Sequence, residues 1–477
     1  MNRISHLNMA GNPDSAGIWA PCLTYSDNKF WLVYNNAKSG GRIFKNTSNY
    51  LVTCDHIDGE WSEPIDLNSS GCDPSLFHND DGKKYLINMV WDHRESNHPF
   101  YGIVLQEYSN EDQRLVGRPH LIFKGSGLGE TEGPHLYKHG GYYYLLMVEG
   151  GTGYEHAVTI ARSKELMGPY EMHPDNPILT LIHDLDNPIQ KAGHASLVES
   201  QKGSWFLVHL CGRPIETRGN CLLGCETCIQ RVEWKDEWPY VENGRLPSAS
   251  IEVDEFEEYT FADSWPGTDD FNEETLNIHY QTPRVPWNRS MSLTERAGHL
   301  RLYGGKSLAC SFDQTHIARR WQSLEFEAEV KMDFRPESFQ QMAGMTMFYN
   351  QKNWLFFNVT FDEVKGRVLQ LSHMDSGIVY KECFKNENFI CVPQNVEYVF
   401  LKTRVHGSQM NFQYSFDGKT YCDILGEFYV GQLSDDFARK TSHLDEFFTG
   451  AFVRMACVDL AGMRKTADFD YFRYSEV

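Results

Sequence analysis

Four stretches decide the fold: Ile18-Trp19-Ala20-Pro21-Cys22-Leu23, Cys72-Asp73-Pro74-Ser75-Leu76-Phe77, Thr131-Glu132-Gly133-Pro134-His135-Leu136 and Gly193-His194-Ala195-Ser196-Leu197-Val198. Aligned on their shared leucines, three carry proline two residues earlier and the fourth carries Ala195. The leucines at 23, 76, 136 and 197 lie 53, 60 and 61 residues apart. After each phrase comes a short turn and an aromatic-rich run: Lys29-Phe30-Trp31-Leu32-Val33, Lys84-Tyr85-Leu86-Ile87, Tyr142-Tyr143-Tyr144-Leu145-Leu146 and Trp205-Phe206-Leu207-Val208. Tyr50–Thr53, Gly102–Leu105 and Ala157–Ile160 read as further strands. The first three cycles then reach glycine–proline turns at Gly59–Pro64, Gly117-Arg118-Pro119 and Gly168-Pro169-Tyr170. Strand-rich repeats of this length are propeller blades more readily than helical solenoids. Apolar residues at helical spacing are nearly missing, so helices should be few.

The innermost strand of each blade lines the propeller axis, so residues three or four before the shared leucine should converge. These are Trp19, Asp73, Glu132 and His194. A structural core does not select two carboxylates, an imidazole and an indole at equivalent positions, because buried charge is costly unless a task retains it. After residue 245 the pattern changes. Residues 1–245 read as the propeller, 246–266 as an acidic connector and 267–477 as a second domain. Period-two alternation in Leu324–Val330, Val396–Leu401 and Met410–Tyr414, broken by turns such as Asp417-Gly418, predicts an antiparallel β-sandwich.

Composition narrows the function. The 477 residues hold 65 acidic and 44 basic side chains, a formal charge of −21 that repels phosphate backbones and anionic lipid. Nucleic acid and membrane are therefore not expected partners. Aromatic side chains make up 13% of the chain, enough to exclude disorder and to stack on sugar rings. No run approaches the ~18 apolar residues of a membrane span. No secretory h-region is visible near Met1 and the 12 cysteines are scattered, so a reduced, cytoplasmic protein is expected. Cys221-x3-Cys225-x2-Cys228 has the spacing of a cluster-binding motif, but among strands it reads as ordinary free thiols.

Cofactor-free glycosidic cleavage needs a protonated carboxyl beside the leaving oxygen and an ionised one to activate water or attack carbon. Glu132 is the expected acid, and Asp73 the neighbour whose charge keeps it protonated. The chain resembles the β-xylosidases of glycoside hydrolase family 43, in the subgroup with a five-bladed propeller and a C-terminal sandwich. The likeness runs through Gly17-Ile18-Trp19-Ala20-Pro21, Tyr50-Leu51-Val52-Thr53-Cys54-Asp55, Trp91-Asp92-His93-Arg94, Thr131–Tyr137, Gly193-His194-Ala195-Ser196, Gly212-Arg213-Pro214, Lys235–Tyr240 and Phe447–Phe452. It implies an all-β chain that acts as an inverting exo-β-1,4-xylosidase on xylo-oligosaccharides, with α-L-arabinofuranosidase side activity. It further implies Glu132 as general acid and Asp73 as the residue that tunes and orients it. Trp19, Trp91 and His194 become pocket residues, and Phe448 a sandwich aromatic that closes the pocket. The resemblance calls for no cofactor beyond a calcium ion or water beside His194.

Two departures stand against it. The family's base aspartate lies in an Asn-Pro-Asp-Pro-Ser-like phrase on a first blade, and no such blade precedes Trp19, so the general base is expected to be missing. Asn12-Pro13-Asp14-Ser15 matches a different family segment. Cys225, in Leu223-Gly224-Cys225-Glu226-Thr227, stands where a sugar-binding arginine is expected. A catalytically impaired sugar-binding paralogue or truncated product is the alternative. A propeller short of one blade leaves a sheet edge open, which allows pairing into a homo-oligomer.

Overall fold

The computed structural model describes residues 8–38, 45–253, 255–256, 265–286, 290–381, 389–424, 426–441 and 449–477. The chain divides into two compact units. The first comprises residues 1–6, 16–218 and 225–258, and the second residues 7–15, 219–224 and 259–477.

Among the described residues the first unit contains four antiparallel sheets, each a meander through its first four strands that matches one sequence repeat. Sheet I is β1 (Gly17–Ser26), β2 (Lys29–Ala37), β3 (Thr47–Cys54) and β4 (Ile65–Asn68). Sheet II is β5 (Ser75–His78), β6 (Lys84–Trp91), β7 (Phe100–Ser109) and β8 (Arg114–Phe123). Sheet III is β9 (Thr131–His139), β10 (Tyr142–Glu149), β11 (Ala157–Ser163), β12 (Glu171–Met172) and β13 (Leu179–Thr180), the last two both pairing with β11. Sheet IV is β14 (Gln190–Glu199), β15 (Trp205–Gly212), β16 (Glu226–Lys235) and β17 (Trp238–Val241).

Every strand expected from the repeats falls within one of these elements. One expected turn does not hold. Gly117-Arg118-Pro119 lies inside β8, where Gly117 has φ +70° and the β7–β8 register slips between Leu105 and Glu107. β8 is an edge strand, so its proline forfeits no ladder hydrogen bond and the glycine supplies a bulge instead of a reversal.

Successive sheets pack face to face in a propeller-like arrangement. Trp31, Val33 and Leu51 of sheet I meet Leu76, Leu86 and Tyr108 of sheet II. Ile87, Met89 and Leu105 of sheet II join Leu136, Leu145 and Met147 of sheet III. Sheet III in turn supplies Leu146, Val158 and Ile160 to a cluster with Leu197, Leu207 and Trp238 of sheet IV. The innermost strands are also tied polar group to polar group. Thr24 Oγ1 meets His78 Nε2 at 2.8 Å, Ser75 Oγ donates to the Pro134 carbonyl at 2.5 Å, and the Leu197 N–H donates to Tyr137 Oη at 2.9 Å.

The second unit is a two-sheet sandwich of nine and eight strands among the described residues. Alternation does what the sequence predicts in Glu325–Phe334. Phe326, Ala328, Val330, Met332 and Phe334 are buried, while Glu327 and Lys331 are less covered on the opposite face. The Asp417-Gly418 turn follows the strand Gln409–Ser415, with Gly418 at φ +70° and the Asp417 carboxylate accepting the N–H groups of Lys419 and Thr420 at 2.8 Å. Helix is confined, among the described residues, to the single turn Val430–Leu433 and the short helix Asp435–Thr441. Asp14 belongs to this unit, where it pairs with Arg284 at 3.0 Å and accepts the Gln351 N–H at 2.8 Å.

Candidate active site

The repeat phrase has a backbone meaning that composition alone does not reveal. The residue three before the shared leucine is left-handed in all four sheets: Ala20 at φ +38°, Asp73 at +52°, Gly133 at +52° and His194 at +47°. In β1, β9 and β14 the pairing register slips at this point. In sheet II, Asp73 sits just before β5 begins. A left-handed residue at a bulge bends the strand and re-aims its neighbours' side chains. For the three non-glycine residues this conformation costs about 1–2 kcal/mol each, a strain the surrounding sheets must hold.

That backbone brings two expected catalytic residues together. The Gly133 N–H donates to Asp73 Oδ2 at 3.1 Å, anchoring Asp73 beside the residue that follows Glu132. Ligand atoms of Cys72, Asp73 and Glu132 all lie within 4.8 Å of one another. The buried Cys72 thiol is pushed well above its ordinary value by burial and then by the carboxylates of Asp73 and Glu132, with Lys45 opposing them. His194 packs against Gly133 so closely that a Cβ there would stand 3.1 Å from His194 Nε2. Asp73, Glu132 and His194 thus form one constellation.

The strand carrying Glu132 is fixed from behind. Thr131 Oγ1 donates to the Glu149 carboxylate at 3.1–3.2 Å, and Thr159 Oγ1 donates to it at 3.0 Å. Burial raises the pKa of Glu149 despite these hydroxyls. His194 is preceded by Gly193, whose Cα faces the buried ring of His156. His156 Nδ1 meets the Lys191 carbonyl at 2.9 Å, and burial lowers its pKa to about 3.

Trp19 and Trp91 are half-buried against the apolar cluster that contains Cys72. The Lys45 ammonium lies 4.2 Å from the Trp91 ring centre and 5.9 Å from that of Trp19. The Trp91 indole N–H is buried and has no hydrogen-bond partner among the described residues. Beside it, Asp92 is clamped by Arg94 at 2.5–2.8 Å and Asn97 at 2.7 Å, which hold its carboxyl well below the usual range. Sequence reasoning missed Lys45. It precedes β3 with no motif around it, and only the packing of sheets I and II places it over the indoles.

Phe448 lies outside the described residues. His194 belongs to no group of three or more convergent His, Cys, Asp or Glu side chains among the described residues. Cys221, Cys225 and Cys228 form no such group there either.

Comparison with known proteins shows which proteins the chain is similar to. The β-xylosidase of Bacillus subtilis is 50% identical over the whole of this chain and 90% of its own length. A xylosidase/arabinosidase of Humicola insolens is 41% identical over the whole chain and 88% of its length. The crystal structure of a xylan β-1,4-xylosidase from Bacillus halodurans superposes with a TM-score of 0.95 at 46% identity, covering all of this chain and 90% of that one. Residues 268–475 match the β-xylosidase C-terminal concanavalin A-like domain. With residues 1–239 matching the glycosyl hydrolases of family 43 and the paired carboxylates standing within that span, the chain belongs to glycosyl hydrolase family 43.

Proposed function

We propose that this chain is an exo-acting β-xylosidase that releases xylose from short xylo-oligosaccharides with inversion, and that it accepts arabinofuranosides as a side activity. The observation that carries this reading is the convergence of Glu132, Asp73 and Cys72 within 4.8 Å beside two indoles. Glu132 protonates the leaving oxygen. Asp73, held by the Gly133 N–H, orients Glu132, and its negative charge opposes ionisation of the acid. Trp19 and Trp91 offer apolar ring faces to the sugar, and the unpaired Trp91 N–H offers a donor to a sugar hydroxyl. His194 lines the floor. The water-activating carboxylate is assigned to none of the described residues. The relatives named xylosidase and xylosidase/arabinosidase support the substrate class.

The test is xylose release from xylobiose by the chain and by Glu132→Gln. Turnover that disappears in the variant while xylobiose binding persists supports the reading; equal turnover removes Glu132 from the acid role. A second reading, sugar binding without hydrolysis, is favoured by the exposed Cys225 at the position where the family resemblance implies arginine. It is supported if the folded wild-type chain binds xylobiose without cleaving it.

A further inference from the structure

Outside the carboxylate site, the two central strands of sheet IV carry a thiol pair that the proposed reaction does not use. In the β15–β16 ladder His209 pairs with Cys228 and Cys211 pairs with Glu226, so both cysteines project from the same face as diagonal neighbours. Their sulfurs are 2.8 Å apart, less than 1 Å beyond the length of a disulfide bond. Cys211 is buried in the core shared by sheets III and IV, and Cys228 at its margin is half-buried. One partner is therefore shielded and the other reachable, the arrangement that lets a small oxidant enter from one side only. Cys225, three residues from Cys228 and just before β16 begins, is exposed.

We propose that Cys211 and Cys228 form a reversible dithiol–disulfide couple that takes its oxidising equivalents from a low-molecular-weight disulfide. The Cys228 thiolate attacks one sulfur of the small disulfide, forming a mixed disulfide and expelling one small thiolate. The Cys211 thiolate then attacks Cys228 Sγ, forming the protein disulfide and expelling the second. The two protein protons end on the two released thiols, and two electrons pass from the protein to the oxidant. The half-exposed position of Cys228 beside the buried Cys211 favours this order. Closure needs the sulfurs to approach by under 1 Å and leaves the β15–β16 ladder intact. The Arg213–Glu226 ion pair, two guanidinium nitrogens on one carboxylate at 2.7–3.1 Å, joins the residue just past β15 to the first residue of β16, across from Cys211.

The experiment equilibrates the full chain in buffers of reduced and oxidised glutathione over a range of ratios. Remaining thiols are then alkylated, and the protein is mapped by proteolysis and mass spectrometry. The expected result is a peptide pair joining Cys211 to Cys228 that rises with the oxidised fraction and reverts on return to reduced glutathione. The same link should form in Cys225→Ser, and Cys211→Ser should stop at a glutathione adduct on Cys228. Both cysteines remaining fully alkylatable at the most oxidising ratio, while Cys225 is modified, would overturn the proposal. So would a link that joins Cys228 to Cys225 or Cys221 instead. The wild-type map decides the question even if a variant fails to fold.

Discussion

Replacing Gly193 with alanine tests how the strand that carries His194 packs against His156. Gly193 lies outside the left-handed region, so the substitution is acceptable to the backbone and the cost comes from space alone. The added Cβ would stand 2.4 Å from Cγ and Cδ2 of His156 and 2.5 Å from its Nδ1. Restoring an ordinary contact requires the ring to retreat by roughly 1 Å, and its Nδ1 is fixed to the Lys191 carbonyl at 2.9 Å. His156 is only 2% exposed, so it has no solvent-facing rotamer to adopt cheaply. Overpacking costs about 1–3 kcal/mol. Stretching a buried hydrogen bond past its useful length adds about 1–3 kcal/mol. Gly193→Ala should therefore lower stability by about 2–6 kcal/mol, read as a lower urea midpoint with an unchanged slope. The decisive comparison is a double-mutant cycle. In a His156→Ala background the obstructing ring is gone, and Gly193→Ala should cost under ~1 kcal/mol or even stabilise by stiffening the unfolded chain. Equal costs in the two backgrounds, or a single variant within ~0.5 kcal/mol of wild type, would refute the packing argument.

Three further perturbations follow from other contacts. Lys45→Met keeps the length of the side chain but removes the ammonium over Trp91; it should lower kcat/KM for xylobiose by roughly tenfold and shift stability by under ~1 kcal/mol, and unchanged kinetics would remove Lys45 from the pocket. Asp468, 6% exposed, is raised by burial but lowered more by Arg301 at 2.7 and 2.9 Å and Arg296 at 2.9 Å, so its net shift is downward. Its stabilisation is present above the ordinary carboxylate range and lost as pH falls through the depressed folded value. Asp468→Asn should cost about 3–5 kcal/mol at pH 7, with a deficit that narrows in acid when sandwich unfolding is followed by near-UV dichroism. His156 acts in the same direction, here because burial disfavours the charged imidazolium. Its folded value of about 3 lies below the unfolded ~6.5, so the unfolded chain takes up the proton first and stability falls on acidification, by up to about 1.4 kcal/mol per pH unit between those values. Urea titrations from pH 6.5 to 4 should show that much less slope in His156→Asn than in wild type.

The sequence disclosed the blades because the repeat acts at two scales. Aromatic strands such as Tyr142–Glu149 had to be buried between sheets, and the leucine phrase had to recur wherever an innermost strand began. Which of positions −3 and −4 would carry chemistry was less legible. Simple alternation places Glu132 and Gly133 on opposite faces, yet the left-handed residue and register slip re-aim this stretch, and they do the same around Asp73 and His194. Nothing in the residue types demands that conformation: of the four left-handed positions only Gly133 is a glycine, and Ala20 gives no sign of it at all. Proline one residue later, in the first three phrases, was the visible trace, because it fixes the backbone just beyond the bulge.

The features the sequence concealed share one physical cause. Lys45, Glu149 and the Cys211–Cys228 pair each depend on a partner across a ladder or on another sheet, and no local spacing encodes such a partner. Cys72 shows the consequence most directly. As a residue type it reads as a small buried hydrophobe, and as a neighbour it is the side chain that senses Asp73, Glu132 and Lys45 together. Its thiol is held protonated first by burial and then by the carboxylates of Asp73 and Glu132, so it sits between them without competing as a nucleophile. An aspartate or histidine there would add charge between two carboxylates and a lysine and disturb both. The phrase Cys72-Asp73-Pro74-Ser75 therefore combines an uncharged spacer, a strained carboxylate, a backbone lock and, through Ser75 Oγ on the Pro134 carbonyl, a tie to the strand that carries Glu132. Four adjacent residues thereby couple the strand geometry of one repeat to Glu132 in the next.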